Sequence, residues 1–139
     1  MSIPAGPAWV TLVYLALYYV FMTYLLVVKQ RLRKQYTDRG ETFDRYFGED
    51  REMLAADRIQ LNMLEHMPVF LALLWMTAFA VSPREATIVG GLYTLNRAIY
   101  PLVLGKRLGR GTPPRILFVT FSGYGLLLWM MVRIGMSLV

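Results

Sequence analysis

The chain has 139 residues, enough for one domain, and its 56% hydrophobic content lies above the soluble norm of about 45–50%. Cysteine is absent and histidine occurs once, which excludes disulfides, a thiolate supplied by the chain itself and any cysteine or multi-histidine metal site. The net charge of +6 does not point to nucleic acid, because the basic residues gather at the ends of apolar runs, where they match a membrane surface.

The first helix is expected over about 7–34. Ala8 to Val28 is a run of 21 residues without a charge; as a helix it spans about 31 Å, the thickness of a bilayer core. Pro7 suits an opening helical position, where its missing N–H is not needed. No basic segment precedes the run and no small-residue cleavage site follows it, so it reads as a transmembrane helix rather than a signal peptide. The chain leaves it through Lys29, Arg31, Arg33 and Lys34. Residues 35–57 then mix Asp38, Glu41, Asp44, Glu49 and Asp50 with Arg39, Arg45 and Arg51, without apolar periodicity, the pattern of a solvated loop.

The second helix is expected over about 50–81, beginning polar and turning apolar within Arg58-Ile-Gln-Leu-Asn-Met-Leu-Glu-His-Met-Pro-Val-Phe70. Arg58, Asn62 and Glu65 share one face at i, i+4 and i+7, while Ile59, Leu61, Met63 and Leu64 take the other. An isolated charge in hydrocarbon costs at least about 2.5 kcal/mol, so the polar face must meet protein, water or a polar ligand. By residue type alone, interhelical contact and a ligand site are equally open. Pro68 lies inside the helix and predicts a kink there. Ser82-Pro83-Arg84-Glu85 reads as a tight connection, with Ser82 capping the next helix and Pro83 opening it.

The third helix is expected over 83–105. Tyr93, Arg97 and Tyr100 repeat the same spacing, and Arg97 is the only charge between Glu85 and Lys106. The two polar stripes are expected to face one another, with Arg97 as a helix-to-helix partner for Glu65. His66, beside Glu65, reads as a packed or interfacial residue. A glycine- and proline-rich loop carrying Lys106, Arg107 and Arg110 leads to Arg115 and a fourth helix over 114–137. Those loop cations read as topology determinants meeting anionic lipid. The basic excess of the first and third loops places them in the cytoplasm, with both termini and the middle loop on the opposite side. The expected architecture is an all-α, multi-pass membrane protein: four transmembrane helices in a single domain, 1–139.

Arg58-x-x-x-Asn62-x-x-Glu65-x-x-Pro68-x-Phe70 after a basic first loop, Arg97-x-x-Tyr100 near the end of helix three, and Pro114-Arg115 opening helix four resemble the MAPEG family. These are membrane-associated proteins in eicosanoid and glutathione metabolism, and the likeness is to bacterial-type, microsomal glutathione transferase-like members. The resemblance implies a homotrimer that binds glutathione, as co-substrate, between protomers on the cytoplasmic side. Its glutathione contacts fall on Arg58, Asn62, Glu65 and Tyr100 of one protomer and Gln60 of the adjacent one. Its catalytic roles fall on Arg115, which would stabilise the thiolate, and Arg31, near the reacting group.

These residue types suit the chemistry. Two carboxylates match the planar fork of arginine, and an ammonium matches Glu65. A thiol with a pKa of about 8.5 gains from a cation that favours its thiolate. The implied activity is a glutathione-dependent membrane transferase or peroxidase, acting without a metal on hydrophobic small molecules delivered by membrane lipid. His66 stands where relatives often have an aromatic residue, Leu104 where some transferases have a second tyrosine, and Leu54-Ala55 where an acidic residue and an arginine are usual. These departures motivate an alternative, a non-catalytic lipid-binding membrane protein or accessory subunit.

Overall fold

The computed structural model describes residues 3–109, 111 and 114–139, so Arg110 of the basic loop lies outside the described residues. Four helices follow one another: α1 (Ala5–Asp38), α2 (Arg51–Ala80), α3 (Pro83–Leu104) and α4 (Pro114–Ser137). At 34 residues α1 is about 51 Å long, more than a bilayer core requires. It runs on past its apolar segment and ends where Gly40, at φ 72°, takes the left-handed conformation. The N–H groups of Arg39, Gly40 and Glu41 then close the carbonyls of Tyr36 and Thr37.

Asp50 starts α2 by accepting from the N–H groups of Glu52 and Met53, each at 3.0 Å. Its other carboxyl oxygen accepts from the Tyr36 hydroxyl at 3.0 Å, which ties the end of α1 to the beginning of α2. The mixed-charge loop between them is pinned rather than merely solvated. Arg45 forks onto Asp57 at 2.8 and 2.6 Å, Arg31 pairs with Glu52, and Phe43 packs on Val28, Leu32, Met53 and Ala56. Ser82 caps α3 by accepting from the Glu85 N–H at 3.4 Å, with Pro83 as its first residue. After Gly105, at φ 82°, Leu108 and Arg51 exchange two bonds: the Leu108 N–H donates to the Arg51 carbonyl at 2.9 Å, and Arg51 Nε donates to the Leu108 carbonyl at 2.6 Å.

The two middle helices, α2 and α3, pack on each other, and each also contacts α1 and α4, which do not touch one another among the described residues. Their core is aromatic. Phe70 lies 4.6 Å from Tyr14 and 4.5 Å from Tyr93, ring centre to ring centre, and all three side chains are buried. Pro68 sits inside α2 without ending it, and the Tyr14 hydroxyl donates to the Met63 carbonyl at 3.1 Å, just over one turn earlier.

By length and composition α1, α2 and α4 are each able to cross a membrane. The 22 residues of α3 span about 33 Å, and its polar residues Thr94 and Arg97 are buried against its neighbours rather than offered to lipid. Outside, Leu12, Val20, Phe79, Leu92, Phe118 and Leu128 are exposed, an apolar surface on every helix that suits a membrane rather than water. The fold is an all-α, four-helix membrane bundle.

Burial acts to raise the Asp50 carboxyl, and the N–H groups of Met53 and Glu52 together with the Tyr36 hydroxyl outweigh it, holding the group below its ordinary value of 3.8. The sign follows from that depression: the stabilisation is present above the ordinary value and is lost as pH falls through the lower folded value. Asp50→Ala is expected to cost about 1 kcal/mol at neutral pH. Thermal melts in detergent, from neutral pH to below the carboxylate range, should show a smaller acid-induced loss in Asp50→Ala than in the wild-type protein.

Candidate functional site

The polar stripe of α2 forms one wall of a pocket of about 490 Å³, within the range of small-molecule sites. Arg58, Asn62, Glu65 and His66 line it from α2, Tyr100 and Leu104 from α3, and Thr120 and Tyr124 from α4. Arg58 and Glu65 stand at the open side, half exposed, with Arg58 Nη1 3.7 Å from Glu65 Oε2. So exposed a pair is worth little, which leaves both groups ready to exchange each other for a ligand.

Deeper, the stripe is held by hydrogen bonds. Arg97 is 2% exposed, and its Nη1 donates to Asn62 Oδ1 at 2.8 Å. Its Nε and Nη2 donate to Asn96 Oδ1 at 3.2 and 2.8 Å, and its guanidinium carbon lies 5.1 Å from the centre of the Tyr93 ring. Asn96 Nδ2 in turn donates to the Val119 carbonyl at 3.0 Å and to Ser122 Oγ at 2.8 Å. The chain of contacts joins α2, α3 and α4. The stripes of α2 and α3 do meet, but the partner of Arg97 is Asn62 and not the expected Glu65. Asn62 lies about 60° round the helix from Glu65, which brings it to α3 and leaves Glu65 at the mouth.

The chain therefore brings together Arg58, Asn62, Glu65 and Tyr100. Arg115 lies with Arg107 in an adjoining cleft of about 450 Å³, which shares Leu104, Leu108, Gly109, Gly111 and Ile116 with the main pocket. Gln60 is on another face of α2, where its Nε2 donates to the Tyr18 hydroxyl at 3.4 Å. Arg31 belongs to the α1 surface and pairs with Glu52. Neither lines the pocket.

Sequence reasoning passed over Asn96, Thr120 and Tyr124. A signal existed for the last two: they stand at i and i+4 on a largely apolar segment, which marks one polar face. Tyr124 meets His66 edge to face at 5.4 Å, so that histidine is both packed and part of the pocket wall. A second cleft, of about 500 Å³ at the far end of α3 and α4, is already satisfied from within. Its Glu85 accepts from Arg133 at 2.8 and 3.1 Å and from Trp129 at 3.1 Å.

A family model described as MAPEG family matches residues 8–136, nearly the whole chain. The chain belongs to the MAPEG family. No individual curated protein is matched. MAPEG membership agrees with the membrane bundle and links the chain in general to glutathione or eicosanoid metabolism.

In this MAPEG chain α4 packs tightly on the Arg97 network at Gly123, where an added Cβ would collide with Arg97 Nη2 and lie 3.0 Å from Asn96 Oδ1. A Cβ at Gly125 meets nothing within 4 Å. Gly123→Ala is therefore expected to destabilise the protein by about 1–3 kcal/mol, as overpacking does. Gly125→Ala should leave the melting temperature unchanged or slightly raised, and equal effects of the two substitutions would contradict the packing described.

Proposed function

We propose that the pocket binds glutathione as co-substrate and that the protein is a glutathione-dependent transferase or peroxidase acting on hydrophobic electrophiles at the cytoplasmic side of the bilayer. The observation that carries this reading is the convergence of Arg58, Asn62, Glu65 and Tyr100 on one pocket. Arg58 offers a fork to a carboxylate, Glu65 a counter-charge to the ammonium, and Asn62 and Tyr100 hydrogen bonds that fix the ligand's orientation. Arg115, in the adjoining cleft, is assigned to the sulfur. The thiol releases its proton to water, and the thiolate beside the guanidinium persists at neutral pH. Its sulfur bonds to an electrophilic carbon that reaches the cleft from the membrane, displacing a leaving anion or, in an addition, opening a double bond or epoxide whose new anion takes up a proton from water.

In this reading residues 1–139 are one domain and three copies assemble as a ring, with both termini on the non-cytoplasmic side. Gln60 and Arg31 face away from their own pocket, which is consistent with their serving that of a neighbouring protomer. Gln60 would exchange its long contact to Tyr18, and Arg31, half exposed, its pairing with Glu52. The second reading, a non-catalytic lipid-binding protein or accessory subunit, is favoured by Leu104, which gives the pocket an apolar side one turn after Tyr100.

Removing Glu65 as Gln deletes a contact made to ground state and transition state alike, so KM or Kd for glutathione should rise with kcat little changed. Arg115→Ala should leave binding less affected and suppress the ultraviolet thiolate signal that appears when glutathione is added to the wild-type protein. An unchanged signal in Arg115→Ala would remove that residue from its role, and absence of glutathione binding would favour the second reading. Native mass spectrometry from mild detergent should show a trimer; a monomer alone would contradict a site shared between copies.

A further inference from the structure

We propose that Arg97 is a positioning residue that makes the pocket selective for anionic ligands, by turning the amide of Asn62 so that only its N–H donors face the ligand. The inference rests on the glutathione reading only for the choice of probe. Its basis is a buried cation with no anion of its own. The five ion pairs among the described residues involve Arg31, Arg39, Arg45, Arg58 and Arg133, and none involves Arg97. A charge taken out of water is ordinarily paired, because its desolvation is otherwise uncompensated. Here its recorded partners are two neutral amide oxygens and an aromatic face.

A guanidinium has donors and no acceptor, so each asparagine must turn its oxygen toward Arg97 and its amino group away. On the α4 side the outcome is visible: the Asn96 amino group finds the Val119 carbonyl and Ser122 Oγ. On the α2 side the same logic applies to Asn62, which lines the pocket. Its amino end is what remains to offer a ligand. The pocket wall at this point is therefore a donor backed by a full positive charge in low dielectric, a combination that favours a carboxylate and disfavours a cation or a hydrogen-bond donor. Glu65, the nearest acid on the same stripe, is engaged by Arg58 at the mouth. The absence of a side chain at Gly123 leaves the space in which the guanidinium lies.

The test is Asn62→Asp, which gives Arg97 the carboxylate it lacks while removing the donor and adding a negative charge to the pocket. The variant should melt at or above the wild-type temperature in detergent. Its affinity for glutathione should fall at least about tenfold, while that for glutathione with both carboxylates esterified changes by less than about threefold. Arg97→Lys, which keeps the charge but cannot hold both amides with one fork, should weaken glutathione more than the diester. Wild-type affinity for glutathione in Asn62→Asp would overturn the proposal, as would a lower melting temperature with both ligands weakened equally. If the wild-type protein binds neither ligand, the glutathione reading fails separately. The melt then decides: a rise in Asn62→Asp supports the uncompensated charge of Arg97, and a fall overturns it.

Discussion

The buried guanidinium of Arg97 is the contact on which the rest of the bundle depends. A cation at membrane depth is stable only if its donors are met, and Arg97 meets them with Asn62 on one side and Asn96 on the other. Those two asparagines belong to α2 and α3, and Asn96 passes the constraint on to α4 through the Val119 carbonyl and Ser122. Rotating any of the three helices would leave a polar group unpaired in hydrocarbon. In a membrane, where apolar side chains gain little by choosing protein over lipid, such directional bonds specify register in a way that packing alone does not.

The same contact shapes the pocket. The arginine, itself lying over the ring of Tyr93, holds Asn62 at the inner wall, and Arg58 and Glu65 stay at the mouth. The outer rim is set by a different set of contacts. Asp50 with Tyr36, Arg45 with Asp57, and the exchange between Arg51 and Leu108 hold the first and third loops to the beginning of α2. Inner wall and rim are thus positioned independently, one by bonds inside the membrane span and the other by bonds outside it.

Much of this was legible in residue order, for reasons that can be named. The charge-free run of α1, the Ser82 and Pro83 start of α3 and the one-sided spacing of Arg58, Asn62 and Glu65 are local features, fixed by helix geometry before any packing occurs. The choice between Asn62 and Glu65 as the partner of Arg97 was not local, because it depends on how far α3 is rotated against α2. The pairings of Arg45 and Tyr36 were hidden for another reason: a mixed-charge stretch has the same composition whether its charges meet water or one another. Thr120 and Tyr124 were outweighed by the apolar residues around them. Gln60, two residues after Arg58, falls off the polar face by spacing alone, whereas the absence of Arg31 from the pocket depends on how α1 packs and is not written in its own segment.

The most direct measurement of the central claim is a structure of the detergent-solubilised or nanodisc-embedded protein with glutathione bound. The account predicts ligand density between Arg58, Asn62, Glu65 and Tyr100, with a carboxylate oxygen within hydrogen-bond distance of Asn62 Nδ2 and the Arg97–Asn62 bond intact. Glutathione seated in the cleft of Glu85 and Arg133, or Arg97 swung out of the core to contact the ligand itself, would contradict it.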